Sequence, residues 1–392
     1  MRKTVILLGL LLAVFSVKVN AQQNLFGGQD IESAVVNEDN SVTFRLIAPD
    51  AKSVSVAGDF AQVAEENPVG GVVGTGLLPM TKDADGMWSY TTKPLKSEMY
   101  MYLFDVDGVA TIDINNPYVY RDYATVSNIF VVGNGQGDLY EVNDVPHGSL
   151  AHHWYDSKAL ETDRRINVYT PPGYESSNEN YPVLYLLHGF GGDEDEWVSF
   201  GRATQILDNL IAQGTATPMI VVMPNGHTAM EAAPGESSMG FYKPGREKDR
   251  ADVRGAFVDN FHEIIDFVES NYRVKEEKAY RAIAGLSMGG GHAINISRTY
   301  ENKFDYVGVF SSAAGGEDEF DASLKKQIDN GVEVYWLGVG REDFLLERNQ
   351  EFRAKLDKLG LDDYIYMETG NGHVWKCWRL YLSEFAPLLF KR

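Results

Sequence analysis

The chain has a single cysteine, Cys377, so no intrachain disulfide can brace it and its stability must come from apolar cores. Basic residues are scarce. Lys and Arg number 35 against 56 Asp and Glu, a formal net charge of −21, which argues against partners that are nucleic acids or anionic membrane surfaces. Low-complexity tracts and internal repeats are missing, and with 44% apolar residues over 392 positions two ordinary globular domains are expected. No apolar run is long enough to make a stable bilayer span. Thr4 to Val17 lies between Met1-Arg2-Lys3 and Val19-Asn20-Ala21, the layout of a secretory signal peptide over residues 1–21. Cleavage after Ala21 would remove Arg2, Lys3 and Lys18 but no acid, taking the charge from −21 to −24, and no cysteine stands at that point to carry a lipid. The expectation is an exported protein, periplasmic or extracellular, without a membrane anchor.

From Ser33 to Val132 short runs of period two alternate with turns, which predicts a small all-β sandwich over residues 30–135. Val42, Phe44 and Leu46 alternate with Thr43 and Arg45, and Tyr100, Tyr102, Phe104 and Val106 repeat the pattern ahead of Asp107-Gly108. The turn Asp83-Ala84-Asp85-Gly86 delivers Trp88 onto a strand, where a core position is expected. Residues 136–147, entered through a Gly-rich stretch from Gly133, read as a linker.

Residues 148–392 have another pattern. Continuous apolar runs at Ile166–Tyr169, Val183–Leu187, Met219–Met223, Tyr280–Ala284, Tyr306–Phe310, Val332–Val339 and Tyr364–Met367 predict strands covered on both faces. Helical periods separate them at 202–213, 252–270, 288–299, 344–359 and 374–388, so an α/β fold with a mostly parallel sheet is expected.

Within that alternation, Ala284-Gly285-Leu286-Ser287-Met288-Gly289-Gly290 reads as a strand, a glycine-flanked serine and a helix, the layout of a nucleophile elbow. A serine hydroxyl needs a histidine to take its proton and a carboxylate to orient that histidine. Only His292 and His373 follow Ser287. His292 lies about 140° round and about 7.5 Å up the same helix, so His373, in the loop Gly370-Asn371-Gly372-His373, is the candidate base. Asp343, at the end of the run Val332–Val339, is the candidate acid, with Glu342 and the cluster Glu317, Asp318, Glu319 as rivals. Oxyanion donors are expected from Met288 N–H and from the loop His188-Gly189-Phe190-Gly191-Gly192, where Phe190 N–H is favoured and Gly189 is the rival. His188 is expected to fasten that loop. Adjacent His152 and His153 on a strand point to opposite faces, so no metal site is expected there, and Cys377 is expected to be a packed, inert thiol.

These motifs, with Arg164-Arg165-Ile166-Asn167-Val168-Tyr169, Met223-Pro224-Asn225-Gly226 and His373-Val374-Trp375, resemble carbohydrate esterase family 1, the esterase D-like enzymes with an α/β-hydrolase fold. The earlier segment, through Phe44-Arg45-Leu46-Ile47-Ala48-Pro49, Val54-Ser55-Val56-Ala57-Gly58-Asp59-Phe60 and Asp85-Gly86-Met87-Trp88, resembles the immunoglobulin-like family-48 carbohydrate-binding modules. The pairing is similar to secreted feruloyl and acetyl xylan esterases. The resemblance implies release of acyl groups from plant cell-wall xylan through an acyl-serine, with neither metal nor organic cofactor, and feruloyl esters of arabinoxylan or its oligosaccharides are the expected substrates. Alternatives are an acetyl xylan esterase, an enterochelin-type siderophore esterase, and an inactive glycan-binding protein. The segment 227–250 is expected to roof the site, and Trp197, Phe241 and Tyr242 with Phe190 are expected to receive a flat acyl group. Because the whole candidate set lies beyond the linker, residues 147–392 alone are expected to cleave small esters.

Overall fold

The computed structural model describes residues 31–61, 76–122, 125–238, 255–316 and 318–391. The expected signal peptide and part of the roof segment, including Phe241 and Tyr242, lie outside them.

The N-terminal runs of period two form two antiparallel sheets. One has the strand order Val35–Val36, Val42–Ile47, Met87–Thr91, Thr81–Lys82. The other runs Gly76–Pro79, Val54–Gly58, Glu98–Val106, Thr125–Val132, Val119–Asp122, with Val109–Thr111 paired to Glu98–Val106. Alternate residues of both sheets meet in one core, where Val42, Phe44 and Trp88 pack with Val54, Val56, Tyr102, Phe104 and Phe130. Trp88 is buried there and donates its indole N–H to Ala48 O at 2.9 Å.

The second region is built on eight strands: β1 Ser149–Ser157, β2 Thr162–Thr170, β3 Val183–Leu187, β4 Ile220–Pro224, β5 Arg281–Leu286, β6 Tyr306–Phe310, β7 Val334–Gly340 and β8 Ile365–Thr369. Their order is β1-β2-β4-β3-β5-β6-β7-β8. β2 runs antiparallel to β1 and β4, and the remaining neighbours are parallel. Helices α1 Glu196–Ser199, α2 Ala203–Ala212, α3 Ala256–Asp259, α4 His262–Asn271, α5 Met288–Thr299, α6 Asp318–Asp329, α7 Leu346–Leu359 and α8 Trp375–Phe385 complete it. The strands carry apolar side chains at consecutive positions because they are covered on both sides. Leu184, Leu186, Val221, Ala282 and Phe310 face α2 and α8, whereas Val183, Tyr185, Val222, Ile283 and Val309 face α4, α5, α6 and α7. The helix expected over 252–270 is broken at Asn260–Phe261 into α3 and α4, and the acidic cluster at Asp318 and Glu319 opens α6 where a loop was expected.

The stretch expected to be a linker is packed over its first part, Gln136–Tyr140, whereas Val142, Asp144, Pro146 and His147 are exposed. Gln136–Tyr140 forms a 3₁₀ turn whose Tyr140 is fully buried. Asn209 donates from its amide to Leu139 O and Glu141 O, both at 3.1 Å, and Asp208 accepts from Tyr169 OH at 2.7 Å and from Gly148 N–H at 2.9 Å. Met99 and Ile129 of the N-terminal sheets belong to the same core as α2 and α8. Arg379 of α8 is buried and donates to Glu98 Oε1 at 3.0 Å, Met99 O at 2.9 Å and Phe200 O at 3.1 Å. Lys376 donates to Asp59 O at 3.0 Å. No helix among the described residues is long and apolar enough to cross a membrane.

A buried guanidinium that loses its carboxylate is left uncompensated, which costs about 3–5 kcal/mol. Glu98→Ala is therefore expected to lower stability by that order in denaturant unfolding, and the excised 147–392 fragment, which lacks Glu98 and Met99, to melt well below the full chain. A fragment as stable as the full chain would show that Arg379 finds other partners.

Candidate active site

Ser287 stands between β5 and α5 with φ 51° and ψ −116°, a backbone conformation that a residue with a Cβ adopts at a cost of about 1–3 kcal/mol. Its neighbours are glycines for a steric reason. A Cβ on Gly285 would lie 2.5 Å from Gly289 C and O, and one on Gly289 would lie 2.4 Å from His188 O and 2.5 Å from Leu187 O. The turn is pinned by Ser287 N–H to Phe310 O at 2.8 Å. Met288 opens α5, and a residue at that position has no intrahelical acceptor for its N–H.

His373 Nε2 lies 2.9 Å from Ser287 Oγ, and His373 Nδ1 lies 2.9 Å from Asp343 Oδ2. The three residues come from the ends of β5, β7 and β8. The two loops carrying Asp343 and His373 hold each other: Glu342 N–H donates to Asn371 O at 3.1 Å, and a Cβ on Gly340 would lie 2.2 Å from that same oxygen. Beneath them the buried Cys377 thiol faces Gly370 O at 3.4 Å and Gly372 O at 3.5 Å, so it braces the histidine loop, and burial raises its pKa.

Asp343 is 5% exposed. Burial pushes its carboxyl up, but the hydrogen bonds from His373 and from Leu345 N–H, at 2.8 Å, together with the neighbouring imidazole, outweigh burial and set it below the usual carboxylate value. The rivals do not reach the histidine loop in this way: Glu342, Asp318 and Glu319 are exposed, and Glu317 lies outside the described residues.

His188 is buried and ties the loop after β3 to the loop after β4, as Gly226 N–H donates to its Nε2 at 2.7 Å. The adjoining Gly189 sits against the nucleophile turn, where its added Cβ would be 3.5 Å from Ser287 Cβ. Phe190 is 62% exposed, and its ring contacts His227 at 5.9 Å. Trp197 is not at the rim. It is 1% exposed, donates to Leu187 O at 3.0 Å and packs on Trp375, so it fills the core beneath the site. The reason is its place on α1, whose inner face closes against β3.

Phe344 was not singled out by the sequence, yet it is 74% exposed with its ring 4.5 Å from His373. Its signal was available, an aromatic directly after the acid. Trp378 covers the other part of the imidazole edge-on at 5.0 Å. The histidines at 152 and 153 are separated as expected: His152 meets Asn167 and His153 meets Tyr272, each at 2.5 Å.

The Esterase family matches residues 157–388 of this arrangement. The chain belongs to that family. The esterase is a serine carboxylic-ester hydrolase, and its relatives agree. It is 29% identical over 365 residues to an endo-1,4-beta-xylanase/feruloyl esterase of Xylanibacter ruminicola, covering 92% of this chain and 46% of that protein. The esterase thus spans about half the length of that relative. A CE1 ferulic acid esterase of Anaeromyces mucronatus, solved with ferulic acid, superposes with a TM-score of 0.54 at 25% identity, covering 64% of this chain and 93% of that one. The enterobactin esterase of Shigella flexneri shares the fold over 88% of this chain and 92% of its own, with a TM-score of 0.57 at 16% identity.

Ser287→Ala and His373→Ala are each expected to abolish ester hydrolysis, and Asp343→Asn to lower kcat by about 10⁴-fold with the fold intact. Full activity in Asp343→Asn with collapse in Asp318→Asn would move the acid. Asp343 also carries a pH signature. Because folding lowers its pKa below the ordinary aspartate value of about 3.9, its stabilisation is present above that value and is lost as pH falls through the folded one. The gap in Tm between the native protein and Asp343→Asn should therefore close below about pH 4, as thermal melts from pH 6 to 3 would show.

Proposed function

We propose that this esterase releases feruloyl or related hydroxycinnamoyl groups from arabinoxylan or its oligosaccharides outside the cytoplasm. In this reading Ser287 Oγ attacks the ester carbonyl as His373 Nε2 takes its proton, and Asp343 holds the imidazole with Nε2 toward the serine. The carbonyl electrons move onto oxygen, facing Met288 N–H and Phe190 N–H. Collapse expels the sugar alcohol with the proton from His373. Water then repeats the sequence on the acyl-serine and frees the acid.

The observation that carries the substrate class is the pair of exposed rings, Phe190 beside the oxyanion loop and Phe344 beside His373. Soluble proteins can leave single aromatics in water, but two at one reaction centre offer a planar acyl group apolar area on both counts. The similarity to a feruloyl esterase over 92% of the chain supports the same class. The N-terminal sheets, read as an immunoglobulin-like sandwich of the family-48 type, would lie along the polysaccharide. Trp88, buried in their core, is not part of any glycan contact in this reading.

The test is kcat/KM on methyl ferulate, feruloylated arabinoxylan oligosaccharide, acetylated xylan and ferric enterobactin with one preparation. Feruloyl esters should lead, and Phe344→Ala should lower their kcat/KM by about tenfold, the worth of one aromatic contact, with acetate release little changed. Acetyl release at or above feruloyl release would make the protein an acetyl esterase, and preference for enterobactin would overturn the polysaccharide reading.

A further inference from the structure

We propose that His188 is a positioning residue that aims the Phe190 N–H at the developing oxyanion by holding the carbonyl of Gly189. The inference rests on the reading of Phe190 N–H as an oxyanion donor and explains how that donor is fixed.

The argument begins with the tautomer. Gly226 N–H donates to His188 Nε2 at 2.7 Å, so that nitrogen carries a lone pair, and the proton of the neutral ring is on Nδ1. Nδ1 lies 2.8 Å from Gly189 O and therefore donates to it. Burial, then the neighbouring His227, hold the imidazole well below its ordinary pKa, in accord with a ring that stays neutral. Gly192 N–H donates to the same Gly189 oxygen at 3.2 Å. A trans peptide is planar with its N–H opposed to its C=O, so two donors on the Gly189 carbonyl leave the Phe190 N–H directed the other way. Gly189 adjoins Ser287, with 3.5 Å from its added Cβ to Ser287 Cβ, which puts this peptide at the reaction centre.

The ring is itself held from behind. Asn225 donates to Glu194 Oε2 at 2.9 Å and accepts from His227 N–H at 2.9 Å, while the same Glu194 accepts from Ala233 N–H at 2.8 Å. Glu194, Asn225 and His188 are all buried, so Glu194, Asn225, Gly226 and His188 form one buried train ending at Gly189. An oxyanion donor lowers the barrier without reorganising only if its direction is set beforehand. This train sets it by tying the loop to the one after β4.

His188→Asn and His188→Gln separate the two ring nitrogens. Asn places an amide N–H where Nδ1 stands, and Gln an amide oxygen where Nε2 stands. On methyl ferulate, His188→Ala and His188→Gln should lose about 10²-fold in kcat with KM within twofold, and His188→Asn should recover at least tenfold of that loss. A role in packing alone would move Tm and leave Asn and Gln alike. Thermal melts therefore accompany the kinetics, and activity is compared among variants that melt cooperatively. Equal kcat in Asn and Gln, or kcat within threefold of native in Ala, would overturn the proposal. Phe190→Pro deletes the N–H itself. If it keeps native kcat the donor reading fails, whatever the His188 series shows; if it loses kcat while the His188 variants do not, the donor stands and His188 is not what aims it.

Discussion

Everything at this site depends on the contact between Gly289 and the carbonyls of His188 and Leu187, where an added Cβ would come within 2.4–2.5 Å. That contact brings the first turn of α5 onto the end of β3. It puts the Ser287 turn and the loop after β3 in one place, although they stand far apart in the chain. The parallel register of β3 and β5, Leu187 opposite Gly285, makes the contact possible because it ends both strands at the same level. Strain at Ser287 persists because this packing over-determines the turn.

The arrangement of loops follows the same rule. Gly340 meets Asn371 O as Gly289 meets His188 O, so acid loop and histidine loop are joined by backbone approach as well as by the Asp343–His373 hydrogen bond. Side chains are thereby released for chemistry. Asp343 spends one carboxylate oxygen on Leu345 N–H and offers both to the imidazole, and the cysteine thiol meets two carbonyls of the histidine loop and the Thr369 hydroxyl. A site held from its own backbone outward suits electrostatic stabilisation of a transition state, which needs donors set in place beforehand.

What the sequence made legible was whatever has a period or a fixed spacing. Val183–Leu187 and Tyr306–Phe310 appear with the bounds that their apolar runs predict, and Ser287 and His373 follow from glycine spacing and from elimination among few histidines. Trp197 was misplaced because an aromatic in a loop-like stretch has no period to say which way it faces; a four-residue helix turns it inward. Phe344 escaped for the complementary reason, since exposure at a loop is set by how α7 begins and not by composition. The train from Glu194 to His188 joins residues from two separate loops, and no local pattern announces a contact of that kind. The packed turn Gln136–Tyr140 likewise reads as part of a linker because glycine marks turns whether or not those turns are buried.

That last difference changes what the N-terminal sheets are for. α8 starts two residues after His373, and its Lys376 and Arg379 are held by Asp59, Glu98 and Met99 of those sheets. Trp378 of the same helix lies against the His373 imidazole. The helix is therefore shared: one side supports the histidine and another is the seam with the β-module. Desolvating Arg379 costs free energy that its only described carboxylate partner, Glu98 across the seam, offsets together with the carbonyls of Met99 and Phe200, so the seam is fixed by a buried charge as well as by apolar area. A domain attached only to hold polysaccharide would need no such seam, because a tether suffices to raise local concentration. Bracing and glycan binding are separable roles, and the contacts of Arg379 establish the first without requiring the second.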